Sequence, residues 1–336
     1  DQQRDEHRPE GEFHRRRHAL QDQLQRRLVE HEGPAEVAPQ RIAEEHQVLV
    51  PQRQVEAEGV DRALALELDA SWILVDHYGA SDRWLERVGQ GPWRLALLDD
   101  EAERAAAAAN VVINPNLGVE GAEYEAGLEL MGPMYLPMNP AFARARDRGR
   151  AKAPWKLKRV LVVLGGSDAL GLTRKVVEEL LSALPDEVEV KAVVGPAASE
   201  APSLPESPRV IRVGPLAPDA LAREMLSAQA AVATPSTVFW EMAALGLPTL
   251  LVRTAGNQVS APALAALGAA MVVDAGSPIG PAFVGAGGLS EQLVRRRVAK
   301  VASALTDGRG AYRVAEHLAT VRAGTMAAGC ESRSAR

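Results

Sequence analysis

Val160-Leu-Val-Val-Leu-Gly-Gly-Ser-Asp-Ala-Leu-Gly-Leu-Thr-Arg174 is the stretch that decides the fold. An apolar run of strand length stops at Gly165-Gly166-Ser167. A helical pattern follows within a few positions, with Val176, Val177, Leu180, Leu181 and Leu184 on its apolar side and Pro185 ending it. A strand feeding a helix through glycines is a building unit of parallel α/β sheets. The turn also lets main-chain N–H groups approach an anion, while a helix N-terminus adds partial positive charge. By itself the segment fits a plain strand-to-helix connection equally well.

The pattern continues downstream. Strands are predicted near 188–194 and 209–213, at 230–233, 249–252 and 270–273. Helices are predicted at 218–227, 237–245, 257–267, about 289–305 and 311–322, and 276–288 reads as a Gly/Pro-rich loop. Upstream, Trp72 to Asp76, Arg94 to Leu98 and Val111 to Ile113 read as strands. The alanine-rich stretch Glu101 to Ala109 reads as a helix between the last two. Residues 143–157, dense in Arg and Lys, read as an exposed linker. The expected fold class is therefore α/β, with two Rossmann-like domains facing a cleft. The expected divisions are a polar segment 1–61, an incomplete first domain 62–150, a nucleotide-type second domain 151–323 and a tail 324–336.

Composition narrows the function classes. An apolar content of 46% belongs to a globular protein, and a net charge of -6 argues against a general nucleic-acid binder. Cys330 is the only cysteine, so neither a disulfide framework nor a cysteine metal site is expected, which is compatible with the cytoplasm. No apolar run approaches the roughly 20 residues of a membrane span, and no secretory signal is read. Residues 1–60 are unlike the rest: rich in Arg, Gln, Glu and His, they hold five of the seven histidines. A thin stripe of Leu20, Leu24 and Leu28 allows a polar helix over 14–32, but a solvated segment fits better. The histidines lack paired metal-ligand spacing, so no metal and no cofactor is expected.

Two further segments carry chemistry. Thr234-Pro-Ser-Thr-Val-Phe-Trp-Glu241 joins a strand to a helix. Ser236 is a natural helix N-cap, and Thr237 opens the helix. Glu241 is a lone acid in an apolar helix. It is either an edge residue or, facing a cleft, an acceptor for both hydroxyls of a ribose. Gly256-Asn257-Gln258 opens the next helix, and its paired amides suit sugar hydroxyls or acetamido groups as well as a cap.

Taken together, Leu-Gly-Gly-Ser-Asp, Ser-Thr-Val-Phe-Trp-Glu-Met-Ala-Ala-Leu-Gly-Leu-Pro and Gly-Asn-Gln resemble the carboxyl-terminal half of nucleotide-sugar enzymes with two facing Rossmann-like domains (the GT-B type). The similarity points to the UDP-sugar hydrolases of pseudaminic acid synthesis and their spore-coat polysaccharide relatives. Val75-Asp-His-Tyr-Gly79, Leu98-Asp-Asp100, Asn114-Pro-Asn116 and Gly132-Pro-Met-Tyr135 extend it, so that it covers about residues 70–275. The resemblance implies release of UDP from a diacetamido-trideoxy sugar by water without a metal. It implies Gly166 and Ser167 near the diphosphate, Glu241 on the ribose, Asn257 and Gln258 on the sugar side, and Tyr78 lining the sugar pocket, with Gly165, Ser236 and Thr237 among the substrate-binding residues.

The family's Gly-x-Gly-His-x-x-Arg loop has a degraded counterpart in Gly11-Glu-Phe-His14-Arg-Arg-Arg17. There Phe13 stands for the second glycine and no apolar strand precedes it. An altered reading frame, a lost start or a decayed domain would each produce this. His14 is the expected catalytic base, with His77 as fallback and Asp76 beside it. Asn139 also departs, since the family usually carries a basic residue there. The alternatives are a MurG-like glycosyltransferase with a UDP-sugar donor and a non-catalytic UDP-sugar binder. The expected partner is the UDP-sugar alone, with no nucleic acid and no membrane.

Overall fold

A computed structural model describes residues 65–320 other than 66–69, 78, 101, 103, 120, 150–154, 167, 169, 196–203 and 257. His14, Tyr78, Ser167 and Asn257, the polar helix over 14–32 and Cys330 therefore lie outside the described residues. Two compact units emerge, one of residues 141–307 and one of 65–140 with 308–320.

The larger unit is a six-stranded sheet flanked by helices. Its strands are β5 (Arg159–Val163), β6 (Glu189–Val193), β7 (Val210–Val213), β8 (Ala230–Ala233), β9 (Thr249–Arg253) and β10 (Met271–Asp274), in the spatial order β10-β9-β8-β5-β6-β7. Every pair is parallel. The chain winds outward from β5 to β7, returns to β8 on the other side of β5, and winds outward again to β10. That reversal makes the gap between β5 and β8 a topological switch point, where open α/β sheets receive ligands at their carboxyl ends.

Period-two burial explains why these segments pair in register. Val160 lies between Val190 and Ala230, and Val162 between Ala192 and Val232. These residues share one core with Val176, Val177 and Leu180 of α3 (Leu172–Ala183), Phe283 of α7 (Ile279–Val284) and Val298 of α8 (Gln292–Leu305). The opposite face is covered by α4 (Pro218–Ser227), α5 (Thr237–Ala244) and α6 (Ala261–Leu267), with Met225, Phe239 and Leu264 buried.

The smaller unit carries a four-stranded parallel sheet in the order β1-β2-β3-β4, from Trp72–Val75, Arg94–Leu98, Val111–Asn114 and Glu129–Met131. Helix α1 (Asp82–Val88), capped by the Ser81 hydroxyl on Trp84 N, buries Trp84, Leu85 and Val88 against one face. Helix α9 (Gly310–Thr320) covers the other, with Val314 in a cluster with Ala96, Val111, Ile113 and Leu130.

Three expectations are corrected. The described part of the alanine-rich stretch, 102 and 104–109, is irregular, not helical, with Ala102 and Ala106 at positive φ. Its backbone is claimed from outside: Ala106 N donates to the Asp82 carboxylate at 3.0 Å, and Ala105 O accepts from Glu125 N at 2.8 Å. Tertiary partners have overridden the helix propensity of alanine. The linker expected over 143–157 begins as helix α2 (Pro140–Asp147), with Phe142, Ala143 and Ala145 buried. The expected loop 276–288 contains α7, whose first N–H groups, Ile279 N and Gly280 N, donate to the Glu179 carboxylate of α3. Strand β4 and helix α1 had no prediction, since three and seven residues are too short to show a period.

Candidate functional site

Three neighbouring strands of the larger sheet, β5, β8 and β9, end beside one another. Each leads into one of the segments singled out in the sequence. Gly165 has φ 92°, a left-handed value that favours glycine, and Gly166 follows with open space where a Cβ would stand. A Cβ on Gly195, beyond β6, would fall 2.2 Å from Gly166 O, so the bare backbones of two loops meet here.

The start of α3 behaves otherwise than the sequence suggests. Asp168 turns back at φ 41° and accepts from Leu172 N at 2.9 Å and Thr173 N at 3.0 Å with its two oxygens. An anion built into the chain already occupies that helix N-terminus. The start of α5 is different. Ser236 holds the N-cap position with extended backbone, but its side chain makes no capping bond. Its hydroxyl pairs with Thr234 Oγ1 at 3.1 Å instead, which corrects the expectation of a spent cap. Ser236 and Thr237 are exposed at the switch point, and the opening turn of α5 lacks a side-chain cap. Of the starts of α3 and α5, that of α5 is the one with no side-chain cap.

Glu241 is on the second turn of α5, half-buried, and none of the described residues gives its carboxylate a hydrogen bond or an ion pair. Burial alone pushes its pKa up from 4.5 to about 7. Gln258 is more committed. Its Oε1 accepts from Thr254 N at 2.8 Å and Ala255 N at 3.2 Å, and its Nε2 donates to Thr254 Oγ1 at 3.1 Å. The side chain closes the loop after β9 and keeps one amide hydrogen for other use.

The smaller unit gathers a second polar group at the carboxyl ends of its strands. Asp76 and His77 follow β1, Asp99 and Asp100 follow β2, and Asn114 ends β3. Desolvation first, then the charge of Asp100, raises the Asp76 pKa, and His77 opposes this. His77 Nδ1 accepts from Gly79 N at 2.9 Å, so one ring nitrogen serves its own turn. Behind them Asp99, 1% exposed, accepts from the Tyr124 hydroxyl at 3.1 Å and lies 3.7 Å from Arg104. Tyr124 in turn accepts from Asn114 Nδ2 at 2.9 Å, Asn116 N donates to Asn114 Oδ1 at 3.1 Å, and Asn116 Nδ2 donates to Asp100 O at 2.8 Å. Burial is the main cause that lifts the Tyr124 pKa to about 12. Tyr124 and Arg104 carry no signal in the sequence, and only their contacts with Asp99 mark them. Among the described residues no three His, Cys, Asp or Glu converge as a metal cage, and no helix is long and apolar enough to cross a membrane.

No protein-family model and no curated protein matches the chain. Solved structures do. MurG of Acinetobacter baumannii is similar with a TM-score of 0.55 at 15% identity, over 79% of this chain and 77% of that one. The S. aureus MnaA–UDP co-structure gives 0.54 at 10%, over 76% and 77%. The UDP-GlcNAc 2-epimerase of Neisseria meningitidis bound to UDP-GlcNAc gives 0.52 at 10%, over 78% and 80%. The fold is of the GT-B type. Two parallel-sheet α/β units account for that likeness, and at these identities it speaks to fold alone.

Proposed function

We propose that the larger unit binds the UDP portion of a UDP-linked sugar and that the chain hydrolyses that sugar, releasing UDP. One observation carries the reading. At the switch point a glycine turn, an uncapped helix N-terminus and a half-buried carboxylate that none of the described residues pairs stand on adjoining segments. Each meets a different part of a nucleoside diphosphate. Gly165, Gly166 and Ser167 with Ser236 and Thr237 receive the diphosphate, and the α5 pole favours its charge. Glu241 accepts the two ribose hydroxyls. Asn257 and the remaining amide hydrogen of Gln258 serve the sugar. The staphylococcal neighbour was captured with UDP and the meningococcal one with UDP-GlcNAc, which supports the ligand class.

Hydrolysis then requires little covalent chemistry. Water attacks the anomeric carbon, the bond from that carbon to the phosphate oxygen breaks, and UDP departs with the electron pair. A base takes the proton of the attacking water. His14 is the base by resemblance, with His77 and Asp76 as alternatives and Tyr78 against the sugar. A carboxylate held above its ordinary pKa, as Asp76 is, binds a proton more readily at neutral pH. A diacetamido-trideoxy sugar is the proposed substrate, by the same resemblance.

Titration with UDP followed by incubation with the UDP-diacetamido sugar tests both halves. UDP binding with release of UDP into water is the expected result. Release only when an acceptor sugar is added would replace hydrolase by glycosyltransferase. Binding without release, unaffected by His14→Ala, would leave a UDP-sugar binder.

A further inference from the structure

Arg146 belongs to the arginine-rich stretch that reads as a linker, yet it is the most connected side chain of α2. Its Nη1 donates to Ala244 O at 2.6 Å and to Thr306 O at 3.2 Å, and its Nη2 donates to Ser303 O at 3.1 Å. Ala244 is the last residue of α5, Ser303 lies in the last turn of α8, and Thr306 is the C-cap of α8. Carbonyls at helix carboxyl ends lack intrahelical partners and carry the negative pole of the helix. One planar guanidinium meets both ends. Ala244 and Thr306 are each 1% exposed, so water is a poor substitute.

At this end of α5 nearly every carbonyl is matched. Glu241 O and Met242 O accept from Leu245 N, Ala243 O accepts from Gly246 N, and Met242 O also accepts from Leu247 N. Ala244 O is the next carbonyl in line, and Arg146 takes it. The other end of α5 has no side-chain cap. An eight-residue helix is thus fastened by its carboxyl end, and Glu241 stands one turn from the fastening.

We propose that Arg146 is a positioning residue for the ribose contact: by tying the end of α5 to the end of α8, it fixes where the Glu241 carboxylate stands. This rests on the UDP-binding reading above. Lysine cannot replace it, because a single ammonium on a flexible stem does not span three carbonyls of two helices as a rigid fork does.

The test compares UDP with 2′-deoxy-UDP by calorimetry in the wild type, Glu241→Ala, Arg146→Ala and Arg146→Lys, with circular dichroism and melting curves alongside. The wild type is expected to prefer UDP by about tenfold, the worth of one hydroxyl on a charged acceptor. Glu241→Ala removes that preference. Arg146→Ala lowers it by about threefold or more while 2′-deoxy-UDP binds nearly as before, since the loss falls on the hydroxyl contact. Arg146→Lys behaves likewise, and added guanidinium restores part of the preference in Arg146→Ala. A folded Arg146→Ala that keeps the full preference overturns the proposal, and so does one that loses both nucleotides equally. Should Arg146→Ala not fold, an unchanged preference in Arg146→Lys overturns it. Absence of UDP binding in the wild type, or an unchanged preference in Glu241→Ala, would instead sink the UDP reading itself.

Discussion

The carboxyl edges of the two sheets are built from the same kinds of residue and used in opposite ways. In the smaller unit, Asp99, Tyr124, Asn114, Asn116 and the backbone of Asp100 are linked in a chain of hydrogen bonds. In the larger unit, the half-buried Glu241 carboxylate receives no hydrogen bond or ion pair from the described residues, and α5 opens without a side-chain cap. A hydrogen-bonded chain of this kind contributes to the unit's own stability. A carboxylate partly withdrawn from water and left unpaired costs stability in the free protein, a cost that a ligand with donor hydroxyls can offset. The contrast separates an edge linked within itself from the edge at which we propose that UDP binds.

The largest test leaves both edges untouched and sets the scale. Phe283→Ala empties a fully buried ring position under the larger sheet and should cost about 3–5 kcal/mol in urea denaturation. Next comes the hydrogen-bonded chain. Tyr124→Phe removes the hydroxyl that donates to Asp99 and accepts from Asn114, and should cost about 1–3 kcal/mol by the same measurement. A neutral result would break the comparison, because the smaller edge would then not depend on its network.

Glu241 should behave in the opposite sense. Its folded pKa of about 7 lies above the ordinary glutamate value, so folding favours the protonated form. Stability of the free protein should therefore fall as pH rises from about 4.5 through 7 and level off above, and Glu241→Gln should remove that slope. Ribose hydroxyls donate to the ionised carboxylate, so UDP affinity should rise across the same window in the wild type relative to Glu241→Gln. Glu241→Ala should weaken UDP binding by about 1–3 kcal/mol in calorimetry without destabilising the free protein. A variant that loses stability instead would mean that Glu241 is structural. The smallest effect is expected at Ser236. Since it caps nothing, Ser236→Ala should change stability by less than the roughly 1 kcal/mol of a true N-cap, read as a shift in melting temperature.

Much of this architecture is legible in the sequence, for a physical reason. Strands buried on both faces, such as β5, β8 and β9, are short continuous apolar runs, and glycines punctuate them where backbone must turn. The positions of Gly165, Ser236 and Glu241 follow from that punctuation. What stays hidden depends on partners far along the chain. The stretch from 101 to 109 has the composition of a helix, and only Asp82 and the segment at Glu125 explain why 104–109 is not one. Helix α7 reads as a loop until Glu179 is brought to its first turn, 100 residues distant. Arg146 reads as solvated charge because the carbonyls it binds lie about 100 and 160 positions away. The electrostatic difference between the starts of α3 and α5 is equally invisible, since an aspartate and a serine near a helix start both read as caps.

The meeting of Gly195 with Gly166 bears on how the protein can tolerate change. A methyl group at 195 would drive into the backbone of the turn 29 positions earlier, at a separation of 2.2 Å. The two loops therefore share one allowance of space. A saturation library should find position 195 nearly as intolerant as the turn itself, although no ligand need touch it. On the proposed UDP-binding role of the turn, lesions there should register as lost UDP affinity before they register as lost fold. Heredity, in effect, sees the two glycines as a single letter.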